Sequence, residues 1–333
     1  MCGKVVVMRI GVLYLVIVLV VVTLLFPHCH KKPTYPNERK EWEVVESPTT
    51  NSLNAVYFLT EDDGWAVGAN GTILHYDGGE WSVVESPTTE YLVDVHFVSP
   101  DDGWAISETG IVLHYSSSSW GIDTNLAGRP EDIFFLTSTS GWIASAGWCR
   151  TSSGKQGDAI FQYDGSSWHD ISPGAWNIYS IHFVSENNGW AAGFSAGQGN
   201  DFFAHYDGAS WDTTTYCPIP DGHIYSFSFL SPDNGWAVGR AATILHYDGS
   251  QWAISEEPSC YDLYSIFFVA PDEGWAVGSM EFGNGVILHY DNTGWNIVSI
   301  PEVRDLNSVS FTSGENGWTV GRDGTILRYR PED

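Results

Sequence analysis

Residues 53–84 read LNAVYFLTEDDGWAVGANGTILHYDGGEWSVV. Four short segments stand out: LNAVYF, GWAVG, TILHYDG and EWSVV. The Gly-Trp pair returns at Trp104, Trp142, Trp190, Trp236, Trp275 and Trp318, with spacings of 39, 38, 48, 46, 39 and 43 residues counted from Trp65. A period near 40 with four strands per repeat is the signature of a β-propeller blade. The first segment of each repeat places two apolar residues two positions apart: Val56/Phe58, Val95/Phe97, Ile133/Phe135, Ile181/Phe183, Phe227/Phe229, Ile266/Phe268 and Val309/Phe311. That spacing puts both on one face of a strand. Turn signals such as PDDG, ENNG and PDNG follow, where Asx side chains and glycine suit a tight reversal.

The fourth segment opens on a second tryptophan: Trp81, Trp120, Trp168, Trp211, Trp252 and Trp295. That is six where seven repeats need seven. After ILRYR no further copy follows, whereas Trp42 in EWEVVESP (41–48) has the form of Trp81 in EWSVVESP (80–87). The expected fold is therefore all-β: a seven-bladed propeller of four-stranded antiparallel blades over 41–333, closed by the N-terminal strand pairing into the last blade. Closure of this kind removes two sticky edges. The repeated indoles are expected to pack between blades, with each N–H finding a backbone partner. Trp148 and Trp176 fall outside the pattern.

The charge is lopsided. Beyond residue 40 there are eight bases against forty acids, a formal charge of −32, and Lys155 is the sole lysine. Such a body repels nucleic acid and anionic lipid and suits a soluble extracytoplasmic domain. Residues 1–28 read as a signal or anchor segment. Seventeen uncharged, mostly apolar residues (Ile10–Phe26) follow Lys4 and Arg9. Residues 29–40 read as a polar tether. Cys29 after the apolar run resembles the lipidated cysteine of a bacterial lipoprotein leader. Phe26-Pro27-His28 departs from the small residues that such a leader carries, so an uncleaved anchor stands beside lipidation. Either arrangement implies export to the cell envelope or periplasm, tethered to the membrane. Cys217 and Cys260 follow Trp211 and Trp252 by similar distances and are expected to pair as a disulfide, which an exported location permits.

The string GWAVGxxGTILHYDGxxW resembles the seven-bladed propellers related to the photosystem II stability/assembly factor. More loosely it is similar to neuraminidase-type Asp-box repeats, with YDGSSW and YDGASW one residue shorter than that form. The resemblance covers about Trp42 to Arg330 and implies a non-enzymatic, chaperone-like binder. A sialidase needs three arginines converging on a carboxylate. Arg129, Arg150, Arg240, Arg304, Arg322, Arg328 and Arg330 fall at unrelated blade positions, so hydrolase activity is not expected. The expected role is a non-catalytic scaffold for a protein partner. A glycan-binding lectin and a degenerate glycosidase are the alternatives, and a monomer is expected.

Departures from the repeat mark the candidate site. Blade three carries GWCRTSSGKQGDA (147–159) and blade four GFSAGQGNDF (193–202) where blade one has GANGT; blade six carries GSMEFGNGV. The first two insertions belong to neighbouring blades. Trp148, Arg150, Lys155, Gln156, Asp158, Gln198, Asn200 and Asp201, with Trp176 and Tyr216 from adjoining inter-blade loops, are the expected binding sector. His75, His114, His205, His246 and His289 recur at blade spacing and are expected to be structural. No cofactor or metal is expected. The candidate for Ca²⁺ is the pair Asp94 and Asp132, at matching innermost-strand positions, against a reading as solvated channel lining.

Overall fold

The computed structural model of the chain describes residues 42–146, 160–172, 177–195, 200–213, 218, 223–256 and 261–331. The chain divides into two units, Met1–Thr34 and Tyr35–Asp333, and all described residues lie in the second. They form 28 strands. Each repeat folds into a four-stranded antiparallel blade, blade one being Leu53–Thr60, Asp63–Gly68, Ile73–Tyr76 and Trp81–Val84. Seven blades follow in order. Blades three and four are linked into one sheet by the single pair Ala146↔Asn177. The last blade takes its outer strand from Trp42–Val44, which pairs with Ile326–Tyr329 in the register Trp42↔Tyr329 and Val44↔Leu327. The closure expected from the tryptophan count is thus present.

The Gly-Trp pair has a packing reason. A Cβ at Gly64 would overlap the ring of Phe58, and the same holds for Gly103 and Phe97, Gly141 and Phe135, and on to Gly317 and Phe311. The phenylalanine lies flat on its own blade's glycine. Its other face receives the Gly-Trp indole of the preceding blade. Trp65 stacks on Phe97 (centroids 4.8 Å, 17° between planes), Trp104 on Phe135 (5.0 Å, 14°) and Trp318 on Phe58 (5.1 Å, 9°) across the closure. The fourth-strand tryptophan meets that indole edge-on: Trp120 with Trp65 (5.8 Å, 77°), and Trp42 with Trp275 (5.6 Å, 78°). A buried indole of about 150–250 Å² contributes roughly 4–6 kcal/mol of gross transfer energy at ~25 cal/mol/Å².

One expectation fails. The indole N–H of all fourteen repeat tryptophans is buried without a hydrogen-bond partner. Both sets of indoles sit in aromatic surroundings. Four strand-three histidines are held by the second strand: His75 Nε2 lies 2.9 Å from Asp63 and His114 Nε2 2.8 Å from Asp102, each ring stacked on its blade's tryptophan. His205 and His246 face Asn188 and Asn234, whereas His289 Nε2 is buried without a hydrogen-bond partner. Arg328 takes the histidine's place in blade seven, its guanidinium 4.8 Å from the Trp318 ring centroid. In blades one, three, four, five and six the turn into the fourth strand is an Asx turn. Asp248 accepts the N–H groups of Ser250 and Gln251, which with the Ser250 hydroxyl hold its carboxyl down to about 2, and Gly249 takes φ 88°.

The innermost strands are sheet edges, so their axis-side N–H groups need acceptors from elsewhere. The preceding blade supplies them. Val56 N–H donates to Ser308 Oγ (3.1 Å), Ile266 N–H to Ser226 Oγ (3.3 Å) and Val309 N–H to Ser265 Oγ (3.2 Å). In blades two and three the acceptor is a carboxylate: Ile133 N–H donates to Asp94 Oδ2 (3.0 Å) and Ile181 N–H to Asp132 Oδ2 (2.8 Å). Blade one carries Ala55 at this position and has no acceptor to offer. Val95 N–H turns instead to Oδ1 of the adjacent Asp94 (2.8 Å).

Two outcomes follow for stability. Trp42→Ala should lower the unfolding free energy by about 3–5 kcal/mol, read as a lower urea midpoint, and deletion of residues 41–48 should produce aggregation; unchanged melting after that deletion would refute closure as a stabilising contact. Ser308→Ala leaves Val56 N–H without its acceptor and should destabilise by about 1–2 kcal/mol, measured in the same denaturation series.

Candidate ligand-binding site at the propeller axis

Each innermost strand carries a β-bulge at the same place. The register against the second strand slips between Leu53 and Ala55, Leu92 and Asp94, Pro130 and Asp132, Ile178 and Ser180, Ile224 and Ser226, Leu263 and Ser265, and Leu306 and Ser308. The extra residue is Asn54, Val93, Glu131, Tyr179, Tyr225, Tyr264 or Asn307. A bulge re-aims its side chain. All seven line one concavity of about 570 Å³, joined by Tyr91, Glu108, Arg129 and Ala146. Glu108 and Ala146 mark it as opening on the face where second strands turn into third strands. Its size falls within the usual range of ligand sites.

The cup is bound together around its rim. Asn307 Nδ2 donates to Leu53 O (2.8 Å), Asn54 Nδ2 donates to Leu92 O, and the Tyr91 hydroxyl donates to Asn54 Oδ1 (2.7 Å). Tyr225 and Tyr264 stand 5.9 Å apart. Burial raises the phenols of Tyr91, Tyr179, Tyr225 and Tyr264, with Tyr225 pushed up to about 12, so all four are neutral hydroxyls at physiological pH. Glu131 is 17% exposed, and its Oε1 lies 3.1 Å from Arg129 Nε. Burial pushes the Glu131 carboxyl up to about 7 against the pull of Arg129, with Glu108 and Asp132 adding to the rise.

Deeper along the axis, Asp94 and Asp132 are hydrogen-bonded to each other. Burial and the Asp132 carboxylate hold Asp94 well above the usual carboxylate range. Their oxygens accept Val95, Ile133 and Ile181 N–H, and Asp132 also accepts the Ser180 hydroxyl (2.8 Å). Both residues remain partly exposed, and their oxygens face backbone donors, so the pair staples blades. Among the described residues no group of three or more His, Cys, Asp or Glu is placed to hold a metal ion. At the next inward position Tyr57, His96, Phe134 and His182 stand ring to ring at 4.6, 5.2 and 4.6 Å. Burial pushes His96 to about 3 and His182 to about 4, so both rings are neutral.

The insertion-loop sector is placed only in part. Trp148, Arg150, Lys155, Gln156, Asp158, Trp176, Gln198 and Tyr216 lie outside the described residues, as do Cys29, Cys217 and Cys260. Asn200 opens the third strand of blade four, paired with Ser195. Asp201 is buried, and its carboxylate holds His223 through the backbone N–H (3.1 Å) and ring Nδ1 (3.2 Å). It is therefore a structural acceptor, not a loop-surface contact as expected. The axial cup was missed by the sequence reading. Its signal was present in the first of the two residues between the apolar positions of each opening segment, which reads Asn, Val, Glu, Tyr, Tyr, Tyr, Asn around the ring.

Glu131 gives a pH prediction. Its folded value near 7 lies above the ~4.3 of an unfolded glutamate. Within that window the folded chain holds the extra proton, so stability falls as pH rises through it, and the loss is complete above the folded value. Glu131→Gln removes this titration. The variant should be more stable than the parent by about 1–3 kcal/mol near pH 8, with the gap shrinking towards about pH 4. Urea midpoints at the two pH values check it.

Comparison with known proteins agrees with the architecture. Residues 35–147 match the family model described as Photosynthesis system II assembly factor YCF48. No curated protein matches the sequence. Among solved structures, YCF48 bound to D1 peptide is 20% identical, with a TM-score of 0.69 over 90% of this chain and 100% of that one. YCF48 from Cyanidioschyzon merolae is 19% identical, with a TM-score of 0.66 over 88% and 99%. The WD40 β-propeller domain of Doa1 is 13% identical, with a TM-score of 0.67 over 87% and 96%. The chain is a seven-bladed propeller resembling the YCF48-type assembly factors.

Proposed function

We propose that this chain is a non-catalytic, exported binding scaffold that takes a segment of a protein partner in the axial cup. The observation that carries the reading is the convergence of seven bulged residues, one per blade, on one concavity. Flat phenol faces, amides and a buried carboxylate suit an extended peptide, which offers both backbone hydrogen bonds and side chains. A related fold has been captured with a peptide, the YCF48 structure bound to D1 peptide. Arg129 is the one arginine in the cup's lining. Arg304 and Arg322 face Asp323 and Asp305, each at 3.5 Å, and Arg330 faces Glu43 at 3.3 Å. The three-arginine constellation of a sialidase is not assembled among the described residues. Residues 1–28 as signal or anchor, and 29–40 as tether, complete the proposal by holding the acidic body at the envelope.

The test uses the purified chain on paired peptide and glycan arrays. Saturable capture of a subset of peptides, competed by the same peptide in solution and abolished by Tyr225→Trp within the cup, is the expected result. Capture of glycans alone would replace this reading with the lectin, and turnover of aryl glycosides would replace it with the glycosidase.

A further inference from the structure

The cup is polarised around its rim. Glu108 and Glu131 come from blades two and three, whereas Tyr179, Tyr225 and Tyr264 come from blades four to six. Resting on the proposed peptide-binding role, we infer that the cup selects a cationic side chain, the ammonium of lysine or the guanidinium of arginine, seated between the Glu131 carboxylate and the phenol faces. An aromatic face attracts a cation through its quadrupole, more strongly where water is excluded. Glu131 at 17% exposure supplies the counter-charge in its ionised form, which an entering cation favours. An apolar ligand would strip water from that carboxylate and give nothing back. An acidic ligand would meet Glu108 and Glu131 directly, with the Asp94–Asp132 pair beneath, on a body of formal charge −32.

The molecule already shows the pairing. Arg129 belongs to the same strand as Glu131 and lays its guanidinium 3.1 Å from Oε1, while remaining 58% exposed. It is an internal occupant of the position that a partner's cation would take. Its exposure leaves it free to swing out when a better-buried cation enters. This gives the two residues of one ion pair opposite effects on binding. Glu131 holds the ligand, and Arg129 competes with it. A ligand recognised through Arg129 would reverse both signs.

The experiment measures fluorescence anisotropy of two labelled, end-blocked octapeptides, one of Lys, Gly and Ser and one with Glu in place of Lys. The proteins are the full chain, Glu131→Gln and Arg129→Ala, each checked for an unchanged fold by near-UV circular dichroism. The lysine peptide should bind and the glutamate peptide should not. Glu131→Gln should weaken the lysine peptide about tenfold, and Arg129→Ala should leave it equal or several-fold tighter. The body carries forty acids, so loss of one charge moves diffuse attraction little, and a tenfold drop reports a local contact. Preference for the glutamate peptide, equal binding of both, or weakening by Arg129→Ala to the same degree as Glu131→Gln overturns the inference. If array-selected peptides bind in the cup but are neutral or acidic, binding at the cup stands and the cation preference falls. If no peptide binds, both fall.

Discussion

A phenylalanine ring lies on a glycine in every blade, with a neighbouring blade's indole stacked on its other face, and the ring closes through that sandwich. The glycine is required because a Cβ would occupy the space of the ring. The indole is required because only a large flat group bridges from one blade to the next at stacking distance. Remove the glycine and the phenylalanine must lift, which displaces the tryptophan of the blade before. The stack therefore couples every blade to its neighbour, alongside the hydrogen bonds at the axis, as repeat proteins require of nearest-neighbour interfaces. Trp42 matters because it presents the last edge-on contact of this series to Trp275, from a strand more than 280 residues away from its pairing partner Tyr329 along the chain.

The axis poses a separate problem. Seven edge strands point unpaired N–H groups towards one another, and sheet pairing between them is not available. Serines answer it in the later blades and aspartates in blades two and three. The use of a longer acceptor there has a local cause. Blade one offers Ala55 and no oxygen, so Asp94 must serve both its own strand, through Val95, and the next, through Ile133. A serine has one oxygen and cannot bridge that way. Burial, and after it the neighbouring Asp132 carboxylate, raise the affinity of Asp94 for a proton, which accounts for Asp94 without recourse to a metal or a catalytic role.

The fold was legible because its determinants repeat. Glycine, tryptophan, phenylalanine and tyrosine at fixed offsets name the blade, and the count of fourth-strand tryptophans located the closure at Trp42. The indole N–H partners were misread because burial was taken to demand a backbone acceptor, whereas the surroundings are aromatic. The axial cup was not legible for a different reason: the longest departures from the repeat lie at 147–159 and 193–202, and the sequence does not distinguish the two residues between apolar positions. Alternation gives them opposite faces but does not reveal a bulge. Only the observed register shows that Tyr179 faces the cup while Ser180 staples blade four to Asp132. Asp201 shows the converse error: a polar residue at the end of an insertion, facing inward to order His223.

The bulge separates two tasks within adjacent residues, and this is how a near-symmetric ring acquires an asymmetric site. The stapling position must accept an N–H, so it is confined to serine and aspartate wherever it acts. The bulged position has no part in stacking between blades, and the ring tolerates asparagine, valine, glutamate and tyrosine there. Seven independent choices can then be written around one cup without disturbing the stacks that hold it. Here they place acid on one side, phenols opposite and amides at the blade one and seven junction, where Asn54 and Asn307 tie the rim to Leu92 and Leu53. A ligand entering this cup meets a direction as well as a shape. The same rigid frame accepts a different polarity whenever the bulged residues change, Val93 apart, which packs against the cluster of Trp104 and Phe135.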